Sequence, residues 1–139
     1  MALRGDDIIG VARSSKDKLL LLKGESKSRA TLSTTVLDEA GEALDSDRGR
    51  PARHSVLFVA ERLRELGNDD LAQELEEAVL ASFRGSSVAH MLFVLTGSPP
   101  KNLLGAHLKA ASRKRRLRHA VGVHIKDHPE FIELLFEGL

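Results

Sequence analysis

The chain has 139 residues, a length suited to one domain with a single hydrophobic core. Hydrophobic residues make up 42% and charged residues 29%, and the absence of cysteine excludes disulfides, thiol nucleophiles and zinc sites with thiolate ligands. A net charge of +1 excludes histone-like basicity, so binding of nucleic acid would depend on local basic patches. Apolar runs stay below the roughly 18 residues of a membrane span, and we expect a cytoplasmic protein without a signal peptide or membrane partner.

The first third of the sequence predicts a β-hairpin followed by a helix. Asp7–Ala12 is short and rich in β-branched residues, which is typical of a strand. Leu19–Lys27 begins with an apolar run after a polar turn, and this favours a second strand that pairs antiparallel with the first. Helical spacing of apolar residues then predicts a helix over Ala30–Leu44, with either Thr31 or Ser33 as its N-cap.

The middle of the chain predicts a loop, two helices and a strand. The polar segment Asp45–Arg53 contains glycine and proline, as loops do. Apolar spacing predicts helices over Ser55–Leu66 and Asp69–Phe83. Val88–Thr96 is nearly all apolar, which predicts a central strand covered on both faces. Within that strand, His90 is expected to be a core histidine whose hydrogen bonds are satisfied.

The last third predicts a helix over Asn102–Ser112, a strand over His119–Ile125 and a closing helix with Pro129 in its first turn. The apolar surface of the closing helix comprises Phe131, Ile132, Leu134, Leu135 and Phe136. Strands alternate with helices, and the opening hairpin adds an antiparallel pair. We therefore predict an α/β fold in a single domain over residues 1–139, with a mixed β-sheet flanked by helices.

Two acidic residues and a lysine lie at the ends of the predicted hairpin strands. Residues i and i+2 of a strand point to the same face, so Glu25 and Lys27 share one side. Asp7 begins the partner strand, which places its carboxylate within reach of Glu25. Two carboxylates and a backbone carbonyl suit Mg²⁺ or Mn²⁺, which polarises a phosphodiester and activates a bound water. The alternative reading of the three residues is a surface hairpin with charged ends.

The same residues resemble a known superfamily. Asp7-Ile8-Ile9, followed by the hydrophobic strand Leu20–Lys27 that ends in Glu-x-Lys, looks like the PD-(D/E)XK nucleases. The phrase Lys23-Gly24-Glu25-Ser26-Lys27, with helical segments after it, is also similar to the nuclease subunit of the Hachiman anti-phage defence system. The strong part of the resemblance covers residues 5–45.

The resemblance implies a restriction-endonuclease-like core that hydrolyses phosphodiester bonds of nucleic acid, with DNA as the expected substrate. It implies Asp7, Glu25 and Lys27 as catalytic residues, with Asp7 and Glu25 also as the metal ligands and Asp6 as the alternative first ligand. It also implies a helix and a strand before Asp7, so we expect either that the chain is a fragment or that a partner chain or a later segment supplies those elements. The expected partners are a second copy of the chain or a helicase of the defence system.

The sequence also contains a basic run formed by Arg113, Lys114, Arg115, Arg116 and Arg118. Together with Arg29, which follows the Glu-x-Lys motif, this run is predicted to bind the nucleic-acid backbone. Its alternative interpretation is a solvated helix end, where cations also favour the helix dipole.

Two further functions stay open beside catalysis. One is a non-catalytic module with a degenerate nuclease fold that binds nucleic acid or protein through the basic run. The other is a structural or regulatory subunit that borrows a missing sheet edge from a partner and exposes an apolar patch until it does so. The sequence contains no Gly-x-x-x-x-Gly-Lys-[Ser/Thr] loop, so energy-driven translocation would need a partner protein.

Overall fold

The computed structural model describes residues 5–138, which form four strands and five α-helices in an α/β arrangement. The elements in chain order are β1 (Ile8–Arg13), β2 (Leu19–Arg29), α1 (Thr34–Asp45), α2 (Arg53–Glu65), α3 (Asp69–Leu80), β3 (Ser87–Thr96), α4 (Lys101–Arg113), β4 (Arg118–His124) and α5 (His128–Glu137). A short 3-10 segment, Ser46–Gly49, lies between α1 and α2. The predicted alternation of strands and helices is confirmed.

The sheet has the order β1-β2-β3-β4, and it is mixed as predicted. β1 and β2 form an antiparallel hairpin in which Ile8 pairs with Gly24 and Arg13 with Leu19. β2 and β3 run parallel, as do β3 and β4, and α4 makes the second of these crossovers. Parallel strands need such a crossover because a tight turn can join only antiparallel neighbours.

One face of the sheet is covered by helices. In the hairpin half, Leu21 packs with buried residues of α2 and α3, including Val56 and Leu75. In the other half, Leu92 packs with buried residues of α1 and α4, including Leu44. Alternate residues of each strand therefore reach an apolar core, which is the period of two expected for a sheet with one buried face.

The opposite face of the sheet is only half-buried, and this corrects the prediction that β3 is covered on both faces. His90, Leu92, Val94 and Thr96 are buried, whereas the residues between them are half-buried. β4 repeats the asymmetry, since Val121 is 42% exposed on the open face. An unbroken apolar run did not distinguish a doubly covered strand from one whose second face is apolar but open.

Several element boundaries differ from those predicted. β2 continues to Arg29, and α1 begins only at Thr34, where Ser33 accepts a hydrogen bond from the Val36 amide as its N-cap. Ser33 rather than Thr31 is thus the capping residue. α3 ends at Leu80, before the predicted Phe83, because the next residues leave the helical region.

The closing helix α5 makes few contacts with the rest of the described chain. His128 in its first turn is buried, and its Nε2 lies 2.8 Å from Ser28 Oγ. The predicted apolar surface is present, yet Leu134, Leu135 and Phe136 are all more than half exposed. Over residues 5–138, none of the helices has the length and apolar character that crossing a membrane requires.

Candidate active site

An acidic pocket opens beside the end of the β1–β2 hairpin, on the covered face of the sheet. Its volume is about 800 Å³, and β2, α1 and the segment after α1 line it. Asp7, Glu25 and Lys27 are brought together in its wall as the hairpin pattern predicts. The other charged lining residues are all acidic: Asp6, Glu39, Glu42 and Asp47.

Glu25 and Lys27 form a close ion pair within this pocket. Lys27 Nζ donates to Glu25 Oε1 over 2.6 Å, and the two side chains are 20% and 14% exposed, respectively. The pair exists because residues two apart on a strand point the same way, so the sequence spacing alone positions it. Both side chains line the pocket, whose volume of about 800 Å³ can admit a phosphate group.

Asp7 and Asp6 have different surroundings. Asp7 is exposed, and its Oδ2 accepts hydrogen bonds from the amide and hydroxyl of Ser26. Asp6 is almost fully buried: its Oδ1 lies 3.6 Å from Lys23 Nζ, and its Oδ2 accepts from the Ala52 amide over 2.6 Å. Both oxygens of Asp6 are therefore occupied by contacts that join the residues before β1 to β2 and to the N-cap of α2. In the part of the chain from Gly5 to Gly138, Asp7 Oδ1 has no hydrogen-bond partner.

The donor set suits a hard divalent cation that keeps much of its hydration shell. Among residues 5–138, no group of three or more histidine, aspartate or glutamate side chains is arranged to hold a metal. Asp7 and Glu25 nevertheless line the same pocket and supply carboxylate oxygens, which Mg²⁺ prefers. Because Mg²⁺ is usually held by one or two carboxylates with several waters, two such ligands fit it.

A polar layer separates the two apolar cores beneath the pocket. Lys23 pairs with His90 across β2 and β3, and both are buried. Lys23 Nζ donates to the carbonyl and hydroxyl oxygens of Ser46 at 3.2 and 2.9 Å. His90 Nε2 donates to the Gly49 carbonyl over 2.9 Å, which confirms the expectation of a satisfied core histidine. The 3-10 segment is thereby held against the sheet.

Arg118 belongs to this polar layer, which corrects its predicted place on a nucleic-acid surface. Its side chain is 3% exposed, and its Nη2 lies 2.8 Å from Asp45 Oδ1. The same guanidinium donates to Nδ1 of His90 and to Nε2 of His107, so both rings act as neutral acceptors. Burial, with repulsion from Arg118, lowers the pKa of both histidines. Burial likewise lowers the pKa of Arg118, against the opposing effect of Asp45.

The rest of the predicted basic run splits over different surroundings. Arg113 ends α4 and is exposed. Lys114 faces a hollow that Asp38, Glu42 and Asp45 also line, so acidic groups surround it.

Arg115 and Arg116 instead line a hollow with Arg48 and Arg50. Arg29 is exposed at the end of β2, and its Nη1 donates to the Ser28 carbonyl.

Two groups of polar residues near the site were not singled out from the sequence. Lys23 precedes Glu25 by two residues, so its place on the same strand face was a readable signal. Arg48, Arg50 and Arg53 lie in a segment predicted only as a loop. Their alternation with glycine and proline was visible, but their proximity to Arg115 depends on the fold.

Comparison with known proteins identifies a family. The HamA family model matches residues 1–139, and the chain belongs to that family. The match links the protein to Hachiman anti-phage defence, as the resemblance of its hairpin indicated. No curated protein matches the chain.

Proposed function

We propose that this HamA-family protein is a metal-dependent nuclease that hydrolyses phosphodiester bonds, with DNA as its substrate in phage defence. The observation that carries the proposal is the Glu25–Lys27 pair in the wall of an acidic pocket that Asp7 also lines. Membership of a family linked to anti-phage defence supports a target in foreign nucleic acid. The PD-(D/E)XK resemblance of the hairpin adds the reaction class.

The roles of the two acidic candidates follow from their contacts. Asp6 is engaged at both oxygens and stabilises the fold around Lys23. Within residues 5–138, Asp7 has one oxygen without a hydrogen-bond partner, while the other accepts from Ser26, and these contacts orient the carboxylate. We assign Asp7 and Glu25 as the residues that would hold Mg²⁺ or Mn²⁺. A bound divalent cation would supply charge to polarise the phosphodiester and would acidify a coordinated water.

Lys27 balances charge and positions the substrate. Its ammonium neutralises part of the negative charge of the pocket and lies beside Glu25, where a phosphate oxygen of the substrate would enter. A lysine is a compact cation with three donors, so it suits a phosphate oxygen or an attacking water. Lys27 belongs to β2, and the strand places its side chain on the same face of the sheet as Glu25.

The open apolar face of the sheet is compatible with a partner subunit. We propose a helicase or other defence protein, or a second copy of the chain, as the partner. A P-loop is absent from the 139 residues, so a partner would provide any nucleotide-driven movement along nucleic acid.

Nicking of supercoiled plasmid DNA tests the catalytic proposal. The purified chain is incubated with Mg²⁺, Mn²⁺ or EDTA, alongside Glu25→Gln, Lys27→Ala, Asp7→Asn and Asp6→Asn variants. We expect metal-dependent nicking that falls by about 100-fold or more in the first three variants, since each removes a group at the reacting centre. Asp6→Asn should instead lower the melting temperature, with a smaller change in nicking per folded molecule.

The controls are Glu61→Gln and Lys109→Ala, which change exposed residues on α2 and α4. Both should nick as the unchanged protein does. Nicking that survives Glu25→Gln and Lys27→Ala would contradict the site. Absence of nicking with retained DNA binding would favour the non-catalytic module, for which the lack of a three-ligand cluster in residues 5–138 is the supporting observation.

A further inference from the structure

We infer that five arginines beside the acidic pocket form a binding surface for the nucleic-acid backbone. This arginine surface comprises Arg48, Arg50, Arg53, Arg115 and Arg116. Three of them come from the segment between α1 and the first residue of α2, and two precede β4. The inference rests on the proposed function for its substrate class. It adds the path along which a nucleic-acid strand would reach the acidic pocket.

The arginine surface is continuous with the acidic pocket. It lines two hollows of about 380 and 310 Å³, which share Arg48, Arg50 and Phe83. The first hollow and the acidic pocket have Asp47 and Ala52 in common. An extended chain of phosphates that lies in both hollows therefore arrives directly at the mouth of the pocket.

Within residues 5–138, most of the positive charge of this surface lacks an acidic partner. Asp47 is the only carboxylate among the described residues that line the two hollows. Arg116 has a partner in Asp45, 3.4 Å away. Across residues 5–138, the other four arginines have no carboxylate within 4.0 Å. Clustered guanidinium groups attract a polyanion and match the two oxygens of a phosphate.

Hydrogen bonds hold the arginine surface in place. Arg50 Nη1 donates to the Ser82 carbonyl and Arg53 Nη2 to the Ser82 hydroxyl, each over 3.1 Å. Arg116 Nη1 donates to the Arg48 carbonyl over 3.2 Å. These contacts join three separate stretches of the chain, so the guanidinium groups of Arg50, Arg53 and Arg116 keep a defined spacing.

The backbone around the first hollow is strained on both sides. Asp47 and Arg48 have φ values of 53° and 61°, and Ser82 and Phe83 across the hollow have 51° and 60°. Such left-handed conformations cost about 1 kcal/mol or more for residues other than glycine, and they cluster at functional sites. Gly49 follows at φ 75°, where a Cβ would lie 2.8 Å from Arg116 Nη1. These left-handed backbone conformations place Arg48 and its neighbours around the hollow.

A polyanion explains why opposite charges lie side by side. The acidic pocket repels a phosphate until its own charge is balanced, whereas the arginine surface attracts the neighbouring phosphates of the same strand. The arginines would thus hold the substrate while one phosphodiester approaches Lys27. An acidic polypeptide is the other polyanion that such a surface fits, and the experiment separates the two.

The test measures DNA binding by an Arg48→Gln/Arg115→Gln variant. In the described chain, the guanidinium groups of these two residues make no hydrogen bond or ion pair, so their loss leaves the internal contacts intact. The matched control is Lys101→Gln/Lys126→Gln, which also removes two exposed positive charges. Lys101 and Lys126 follow β3 and β4, at the opposite strand ends from Arg115.

The probes are a fluorescently labelled DNA duplex and single strand of about 20 nucleotides each, together with labelled polyglutamate as the acidic polypeptide. Fluorescence anisotropy is recorded in EDTA over a salt series. We expect the arginine variant to bind the duplex about tenfold more weakly, with a log–log salt slope smaller by about 1.8 for the two lost phosphate contacts. The lysine control should bind as the unchanged protein does.

Equal affinity loss in the two double variants would overturn the inference. Unchanged DNA affinity in the arginine variant would also overturn it. If that variant lost binding to polyglutamate instead, the surface would bind an acidic polypeptide rather than nucleic acid. The proposed nuclease function can fail separately. If the protein does not nick plasmid and only the arginine variant loses DNA affinity, the nuclease proposal is wrong and the arginine surface is supported. Conversely, if nicking depends on metal and the arginine variant binds DNA with unchanged affinity, the nuclease proposal is supported and the inference about the arginine surface is wrong.

Discussion

The two faces of the β-sheet differ in what lies on them. The covered face carries both apolar cores, the buried polar layer of Lys23, His90 and Arg118, and the Glu25–Lys27 pair. The open face carries half-buried apolar side chains such as Leu95, with no helix packed closely over them. Stability and the proposed chemistry therefore depend on the same side of the sheet. Substitutions at two adjacent strand residues, which point to opposite faces, should lower the free energy of unfolding by different amounts.

The largest difference between the faces should appear in two identical substitutions on β3. Leu92→Ala removes a fully buried side chain from the core beside α1 and should lower the free energy of unfolding by about 3 kcal/mol. Leu95→Ala makes the same change on the open face and should cost about 1 kcal/mol, because the side chain is only half-buried. Urea denaturation of both variants measures the two values. Equal losses would contradict the asymmetry and indicate that the open face is packed in solution.

The polar layer should be the next most sensitive feature of the covered face. Asp45→Asn removes the charge that compensates the buried guanidinium of Arg118 and should cost about 2–3 kcal/mol of unfolding free energy. The control is Glu65→Gln, which removes a solvated ion pair with Arg62 and should leave the denaturation midpoint nearly unchanged. A similar midpoint for the two variants would show that Arg118 is solvated in the folded protein.

The smallest expected effect is a dependence of stability on pH that originates in the same layer. Burial holds the pKa of His107 below 6.5, so the unfolded chain binds a proton more readily than the folded one. The free energy of unfolding should therefore fall as pH drops below 6.5 and level off below the folded pKa. Denaturation at several pH values should show a weaker decline in His107→Gln, whose amide oxygen still accepts from Arg118. An unchanged decline in that variant would assign the pH dependence to other groups.

The candidate site was partly predictable because its main pair is local. Glu25 and Lys27 lie two apart on one strand, and a strand places such residues together whatever the rest of the chain does. Asp7 required only the hairpin in addition, and the turn residues indicated that hairpin. The choice between Asp6 and Asp7 required the fold, because Lys23 and Ala52 occupy the oxygens of Asp6.

The basic residues were less predictable because a run in sequence is not a surface in space. At the end of α4, successive residues point in different directions, and Arg118 begins a strand whose alternate side chains face the core. Arg115 and Arg116 instead meet Arg48 and Arg50, from which more than sixty positions separate them along the chain. Only the packing of the 3-10 segment against β3 produces that meeting.

The sequence by itself determined the alternation of strands and helices, the mixed sheet and the Glu25–Lys27 pair, because periodicity and turn chemistry act over a few residues. The tertiary structure alone decided which sheet face is covered, which acidic residue is buried and where Arg118 points. Those outcomes depend on contacts between distant segments, such as Lys23 with Ser46 and Arg118 with Asp45. Local patterns cannot specify such contacts, because burying a charge is favourable only when its partner arrives from elsewhere in the chain.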